Sequence, residues 1–418
     1  MVFDRLLARA LATIVRRGTL RVTTEAGQIL RAGDGGQPEV AVRLVGEGAT
    51  RTLVLDPELA LGELFMDGRL LVEQGTLMEF LQLLLQDSHA ERSKLPIPTT
   101  ATLRSIAWRL AGRNDARLSK ANVAHHYDLS STLYDLFLDR HRQYSCAYFE
   151  HGDGPLDDAQ RAKQRHIAAK LFVQPGNSVL EIGSGWGGLA VYLARHAGAG
   201  RVRGITLSEE QLAASRRLAV REGLAPRVAF ELEDYRATAG TFDRIVSVGM
   251  FEHVGPKDYP AFFESCARLM AEDGVMLLHT IGRTGEPGYT NPWIRKYIFP
   301  GGHLPTMTEM MPAIERSGLM VTDVEVLRLH YAETLKAWRE RFMARRDEAM
   351  RLYDERFCRM WEFYLSLCEA AFRWEDVVVF QIQLGRRNDV LPITRDYIGE
   401  REAALRASEL AAMPVAAE

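Results

Sequence analysis

The chain has 418 residues, with Lys+Arg 52 against Asp+Glu 55 and a formal net charge of −3. Hydrophobic residues are 47% and charged residues 26%, which excludes a disordered chain, a collagen and a basic nucleic-acid tail. The length holds two or three domains, and nucleic acid would need a local basic patch because the overall charge offers no attraction. Cys146, Cys266, Cys358 and Cys368 stand far apart without a CxxC pair, a usage that fits a reducing cytoplasm better than a disulfide scaffold. Arginines interrupt the apolar start MVFDRLLARALATIVRRG, no secretory signal is expected, and no segment reaches the run of about 20 apolar residues that a membrane span needs.

Leu6, Leu7, Leu11, Ile14 and Val15 recur at helical spacing among Arg5, Arg9, Arg16 and Arg17. This predicts a basic amphipathic helix that either packs on its own domain or touches an anionic membrane surface. Residues 19–56 read as short strands, TLRVTT, VAVRLVG and TRTLVLD, and residues 58–86 as helical around a Gly-Arg turn. Residues 1–90 are therefore expected to form a small α+β domain without chemistry of its own. A Pro-broken connector follows over 91–118, with Arg104, Arg109, Arg113, Arg117 and Lys120 on a solvated helix face or against phosphate head groups.

The central signal is NSVLEIGSGWGGLAVYLARHAG, which reads as a strand, a turn with Gly183, Gly185 and Gly187, and a helix from Gly188 to Arg195. Glycines let the chain turn sharply and let a ligand approach the backbone. Strands and helices then alternate: RVRGITL, SEEQLAASRRLAVREG, RVAFELE, FDRIVSVG, DYPAFFESCARLM, GVMLLHTI, MTEMMPAIERSG, VTDVEVLRL and DVVVFQIQL. This predicts an α/β fold, a parallel sheet with helices on both faces and ligands at the carboxyl ends of its strands. The second strand ends at Gly204-Ile205-Thr206 rather than in an acid, and there is no GxxxxGK[ST], so neither a standard NAD ribose clamp nor a P-loop is expected. Glu181, ending the first strand, suits a cationic group or the amino-acid end of S-adenosylmethionine. Thr206, Ser208 and Gln211 offer neutral hydrogen-bonding groups, although Ser208 with Gln211 also reads as a helix cap.

Seven stretches carry a resemblance: VAHHYDLSSTLYDLFLD (123–139), QYSCAYFE (143–150), AQRAKQRHIAAKL (159–171), VLEIGSGWGGLA (179–190), GITLSEEQ (204–211), SVGMFEHVG (247–255) and HYAETLKAW (330–338). With them the chain resembles the S-adenosylmethionine-dependent lipid methyltransferases that include cyclopropane-fatty-acyl-phospholipid synthases and mycolic acid cyclopropane synthases. Its N-terminal domain resembles the longer, phospholipid-acting form. The resemblance implies a Rossmann-like class I methyltransferase fold with a seven-stranded, mostly parallel sheet over 119–400. The tail over 401–418 is short, charged and alanine-rich and reads as a helix followed by a frayed end. It implies methylene transfer to the cis double bond of an unsaturated phospholipid chain, through a carbocation deprotonated by bound bicarbonate. Two alternatives stay open: a lipid C-methyltransferase giving a methyl-branched or methylene product, and a non-catalytic membrane-binding protein on the same fold. The implied setting is a cytoplasmic homodimer that visits the inner membrane surface.

The implied bicarbonate cage is Cys146, Glu252, His279, Ile281 and Tyr331. The implied cofactor contacts are Tyr144 and Ser145 with Glu181 at the methionine part, Gly183 and Gly185 as cradle, Thr206, Leu207 and Gln211 at the ribose, and Asp234, beside Glu233 and Tyr235, near the adenine. Each cage residue also has a plainer reading: Cys146 as a small buried side chain, His279 as a locally satisfied strand end, Glu252 as a helix cap, Tyr331 as packing. A zinc site from His125, His126 and Cys146 fits no usual ligand spacing, and no metal is expected. Aromatic residues including Tyr134, Phe137, Trp186, Phe251, Tyr289, Trp293, Tyr297 and Phe299 are expected to line an acyl tunnel or to steady a developing cation. Residues 282–310 read as a lid with Arg295 and Lys296 toward a head group. Residues 333–372 read as a helical insert whose Tyr353, Phe357, Trp361, Tyr364, Cys368 and Phe372 either pack between helices or wall the acyl chain.

Overall fold

The computed structural model describes residues 2–87 and 131–412. The connector 91–118, its basic residues with Lys120, the residues His125, His126 and Tyr127 and the last six residues lie outside the described residues. Contacts divide the described chain into two compact units: residues 2–87 with Gly288–Pro300 and Ala332–Val377, and residues 131–287 with Gly301–Tyr331 and 378–412.

In the smaller unit, the helix Val2–Ile14 turns Leu7 and Leu11 inward, with Val15 just beyond it, while Arg5, Arg9 and Arg16 stay exposed. The apolar stripe thus packs on its own unit. Strands β1 (Thr19–Thr23), β2 (Ile29–Gly33), β3 (Glu39–Leu44) and β4 (Leu70–Gln74) form a sheet in the order β2-β1-β3-β4, with β1 and β3 parallel. Two expectations fail here. TRTLVLD is mostly helix, Ala49–Leu55, rather than strand. The Glu25 carboxylate accepts the Thr50 N–H at 3.1 Å, satisfying a free donor of the first turn from outside the segment, so tertiary capping overrides β-propensity. Conversely, β4 interrupts the expected helical run over 58–86. Gly68 takes a left-handed φ of 68° after the helix Pro57–Met66, and Thr76 with Glu79 forms a reciprocal capping box that opens the helix Leu77–Leu85.

Residues 282–310 and 333–372 were expected to belong wholly to the catalytic domain. Instead Gly288–Pro300 and Ala332–Val377 group with the N-terminal residues. The loop contains a helix, Pro292–Tyr297, capped by Asn291. Trp293 is fully buried against Phe363, ring centroids 4.8 Å apart, so it is a core residue and not a tunnel wall. The Tyr289 hydroxyl donates to Glu58 and that of Tyr297 to Glu63, while the exposed Lys296 is paired with Glu63 at 2.6 Å. The insert forms the helices His330–Ala344, Arg346–Leu352 and Glu355–Trp374. The last packs on Pro57–Met66 and Leu77–Leu85 with Trp361 and Tyr364 buried, the core-packing reading of that aromatic stripe. Trp361→Ala is expected to destabilise this unit by about 3–5 kcal/mol, checked by urea unfolding.

In the larger unit, strands β5 (Ser178–Ile182), β6 (Arg201–Thr206), β7 (Val228–Leu232), β8 (Phe242–Val248), β9 (Met270–Arg283), β10 (Met320–Val326) and β11 (Val377–Gly385) form one sheet. Its order is β10-β11-β9-β8-β5-β6-β7. The pairs β5–β6, β5–β8, β6–β7 and β8–β9 are parallel, and β10–β11 is antiparallel. The sheet is mostly parallel, as expected. Order reverses around β5, so a crevice opens at the carboxyl ends of β5, β6 and β8. The helix expected at the start of the tail is Asp396–Ala411, which begins before residue 401 and packs on Leu156–Lys170. Glu409 accepts from Arg165 at 2.6 Å, and Glu402 meets His166 at 2.6 Å.

Candidate active site

β5 brings its chain out of the sheet at Ile182. The N–H groups of Gly183 and Ser184 both donate to Ile205 O at 2.9 Å, which sews the turn to the end of β6. Gly183 and Gly185 have φ of 82° and 51°, the left-handed region that glycine occupies without a Cβ penalty. Beside this turn lies a cavity whose wall includes Tyr144, Ser145, Glu181, Gly183, Gly185, Thr206, Leu207, Gln211 and Asp234. All nine residues named from sequence as cofactor contacts therefore meet in one place. Glu233 and Tyr235 line it too.

The polar groups of the wall are tightly held. Glu181 is buried, its Oε2 has no hydrogen-bond partner, and burial pushes its carboxyl up to about 8 although Lys163 pulls the other way. An unpartnered buried carboxylate oxygen on a cavity wall favours a cation or a donor. At the end of β6, Thr206 Oγ1 donates to Gln211 Oε1 at 3.1 Å, and Ser208 Oγ accepts the Gln211 N–H at 3.3 Å. Ser208 thus caps the helix Glu209–Arg221, and Thr206 and Gln211 line the cavity as well, so both readings hold. Asp234 is partly buried, which opposes its ionisation. Even so, hydrogen bonds from the Arg236 side chain (2.8 and 2.6 Å) and backbone N–H hold its carboxyl below the usual range.

None of the five cage candidates forms the cavity wall, but Cys146, Glu252 and His279 lie close to it along the chain or the sheet, and Ile281 is bonded to Glu252. Cys146 follows Ser145, and Glu252 lies between the wall residues Met250 and His253. His279 is paired in register with Val248, another wall residue. Glu252 is buried, with Oε1 accepting the Ile281 N–H at 2.6 Å. Its Oε2 has no partner, and burial pushes its carboxyl up to about 7 against the lowering effect of the Ile281 and Thr280 hydrogen bonds. His279 is buried and held down to about 3 by desolvation and by nearby Lys163 and Lys170, so it is neutral at physiological pH. The Gln381 amide donates to His279 Nδ1 at 3.2 Å, which leaves the proton on Nε2. The structure thus joins Glu252 and Ile281 directly, with His279 two residues before Ile281 on β9. Cys146 Sγ donates to Ala147 O at 3.2 Å and lies in the field of Lys163. Tyr331 is buried, and its neighbour His330 is fixed by the Phe149 N–H at 3.0 Å and by stacking on Tyr148 at 4.8 Å. Phe251 stacks on Tyr259 at 4.5 Å and is fully buried, a core role. Tyr134 and Tyr144 meet edge-on at 5.3 Å, and Trp186 lines the cavity under Arg142.

Sequence reasoning missed Lys163 and Gln143. Lys163 is buried and bonds Gln143 and Ser145. The signal was present in AQRAKQRHIAAKL, a helix of low hydrophobicity in which Lys163, Gln164, Arg165, His166 and Lys170 are all buried. Among the described residues, no group of three or more His, Cys, Asp or Glu is placed to hold a metal, and no helix is long and apolar enough to cross a membrane.

The sequence profile described as mycolic acid cyclopropane synthetase matches residues 114–382. The chain belongs to that family. Like its family members it is an S-adenosylmethionine-dependent methyltransferase. The cyclopropane-fatty-acyl-phospholipid synthase of Escherichia coli (strain K12) is 38% identical over 84% of this chain and 89% of its own length. The tuberculostearic acid methyltransferase UfaA1 of Mycobacterium tuberculosis is 40% identical, over 69% of each chain. Among solved structures, the mycolic acid cyclopropane synthase CmaA1 complexed with SAH and CTAB superposes with a TM-score of 0.60 at 35% identity, covering 63% of this chain and 97% of that one. The family match spans both the cavity wall and the Glu252–His279–Ile281 group.

Proposed function

We propose that this methyltransferase adds a methylene group to the cis double bond of an unsaturated phospholipid acyl chain and closes a cyclopropane ring. The observation that carries the proposal is the pairing of one cavity, walled by all nine expected cofactor contacts, with a buried Glu252 whose Oε2 lacks a partner beside the wall residue His253. The phospholipid assignment draws on coverage. The match to the E. coli synthase extends over 84% of this chain, whereas that to CmaA1 stops at 63%.

The residues present fit S-adenosylmethionine. Glu181 supplies an unpartnered carboxylate oxygen for the cationic amino-acid end, Ser145 and Tyr144 flank it, Gly185 leaves room for close approach, and Thr206 and Gln211 supply neutral donors and acceptors. When bound, S-adenosylmethionine would supply an electrophilic methyl from its sulfonium to the alkene and leave as S-adenosylhomocysteine. A carbocation then develops on the acyl chain, and a proton must leave the new methyl for the ring to close. Bicarbonate is the base we propose for that proton. Glu252 Oε2 would accept the bicarbonate hydroxyl, the neutral His279 would donate from Nε2, and Tyr331 and Cys146 would complete the cage. Ile281 acts through its backbone N–H by holding Glu252 Oε1. We propose further that the protein works as a homodimer at the inner membrane surface.

The test is incubation of the full chain with vesicles of unsaturated phospholipid, S-adenosylmethionine and bicarbonate. Acyl chains should gain the mass of one CH2 per alkene and show upfield cyclopropane protons by NMR. Unchanged lipid, or a methyl branch without a ring, would contradict the proposal. Removing bicarbonate and CO2 should lower the rate and adding bicarbonate restore it. A rate indifferent to bicarbonate would remove it from the cage.

A further inference from the structure

Lys163 lies on the helix Leu156–Lys170 with its side chain 1% exposed. Its Nζ donates to Gln143 Oε1 at 2.6 Å and to Ser145 Oγ at 2.8 Å. Gln143, Tyr144 and Ser145 are consecutive residues of the cavity wall. An ammonium has protons to give and no lone pair, so both partners are acceptors toward it. The single hydroxyl proton of Ser145 is therefore free to point elsewhere. Gln143 is held on its other side as well: a Cβ at Gly188 would meet Gln143 Nε2 at 2.4 Å, so the amide is packed against the start of the helix Gly188–Arg195. One buried cation thus ties the two ends of the 143–145 segment together and fixes the polarity of the Ser145 hydroxyl.

We propose that Lys163 is a positioning residue that orders Ser145 to offer its hydroxyl proton to the carboxylate of the cofactor's amino-acid end, and that adds a buried positive charge in favour of that carboxylate. The proposal rests on the S-adenosylmethionine reading above. A charge serving packing alone is a poor choice for this place. Burial pushes the ammonium down to about 8 against the raising influence of buried Asp139, and both of its hydrogen-bond partners are neutral wall residues, so the cation is directed at the 143–145 segment. Ser145, bonded to the Lys163 ammonium, and the carboxyl of Glu181 line the same cavity, so its wall offers one acidic group and one cation-backed hydroxyl to an amino-acid zwitterion.

The test is calorimetric titration of the full chain with two ligands: S-adenosylhomocysteine, which carries the amino acid, and 5′-deoxy-5′-methylthioadenosine, which does not. Lys163→Met should weaken S-adenosylhomocysteine by about tenfold or more and leave methylthioadenosine within about twofold. Ser145→Ala keeps the cation in place and should show the same selectivity at smaller size, and the double variant should lose less than the sum of the two. Equal weakening of both ligands by Lys163→Met would make Lys163 a general support of the fold and overturn the proposal. S-adenosylhomocysteine binding unchanged in Ser145→Ala would overturn it even if Lys163→Met fails to fold. A wild-type protein that binds neither ligand would instead remove the cofactor reading on which the proposal stands.

Discussion

Replacing Glu252 with Gln is expected to lower kcat by at least about a hundredfold while the affinity for S-adenosylhomocysteine changes by less than about twofold. Gln keeps the shape and can still accept the Ile281 N–H at Oε1, but it puts an NH2 where Oε2 stands without a partner. A donor replaces an acceptor, so a bicarbonate hydroxyl loses its place while the cavity wall is untouched. Rapid-quench turnover and calorimetry on the same preparation check this, and equal losses in rate and affinity would argue against Glu252 acting beside the base. The pH profile carries the same information. Burial raises the Glu252 carboxyl to about 7, so the carboxylate that accepts the hydroxyl forms as pH rises through that value. The wild-type rate should climb there, and the Gln variant should lack that limb. Stability runs the opposite way. The folded state holds this proton more tightly than the unfolded chain, whose carboxyl titrates near 4.5, so the contribution is full below that value and is lost as pH rises through about 7. Thermal unfolding of the ligand-free protein at several pH values should show the wild type losing more over this window than the Gln variant.

Valine at Gly183 and at Gly185 should fail in different ways. A Cβ at Gly183 would stand 2.7 Å from Met250 Cβ, with the backbone at φ 82°. Overpacking and left-handed strain together should cost about 2–4 kcal/mol and lower the midpoint of unfolding. A Cβ at Gly185 meets nothing within 4 Å, on a residue of the cavity wall. Gly185→Val should therefore cost only about 1–2 kcal/mol of stability for its φ of 51°, yet reduce S-adenosylhomocysteine affinity at least about fiftyfold by filling the approach to the turn. Urea unfolding and calorimetry separate the two. A Gly185→Val protein that binds as the wild type does would contradict the placing of the cofactor over that glycine.

The larger unit was legible because each of its strands is an apolar run set between helical stretches, and the β5 turn carries its glycines at fixed spacing. The cofactor residues were legible because they cluster at the ends of β5 and β6 and in one short segment before them. Less was legible in the smaller unit. The helix Ala49–Leu55 depends on Glu25, a cap supplied from another part of the chain, and β4 depends on pairing with β3 that no local pattern announces. The lid and insert read as parts of the catalytic domain because they fall inside its sequence span. Trp293 and Trp361 instead serve a core that includes the N-terminal helices, and sequence order does not reveal such an exchange. Lys163 escaped notice because a lysine in an Arg- and Gln-rich helix looks solvated. Its burial follows from packing on the QYSC segment, a tertiary fact.

The most direct single measurement uses S-adenosylmethionine with a trideuterated methyl group, unsaturated phospholipid vesicles and mass and NMR analysis of the product. Ring closure by loss of a proton from the transferred carbon predicts a cyclopropane whose bridging carbon keeps two deuteriums, with the alkene gone. A product that keeps all three in a methyl branch, or lipid that carries none, would contradict the chemistry assigned to Glu252 and His279.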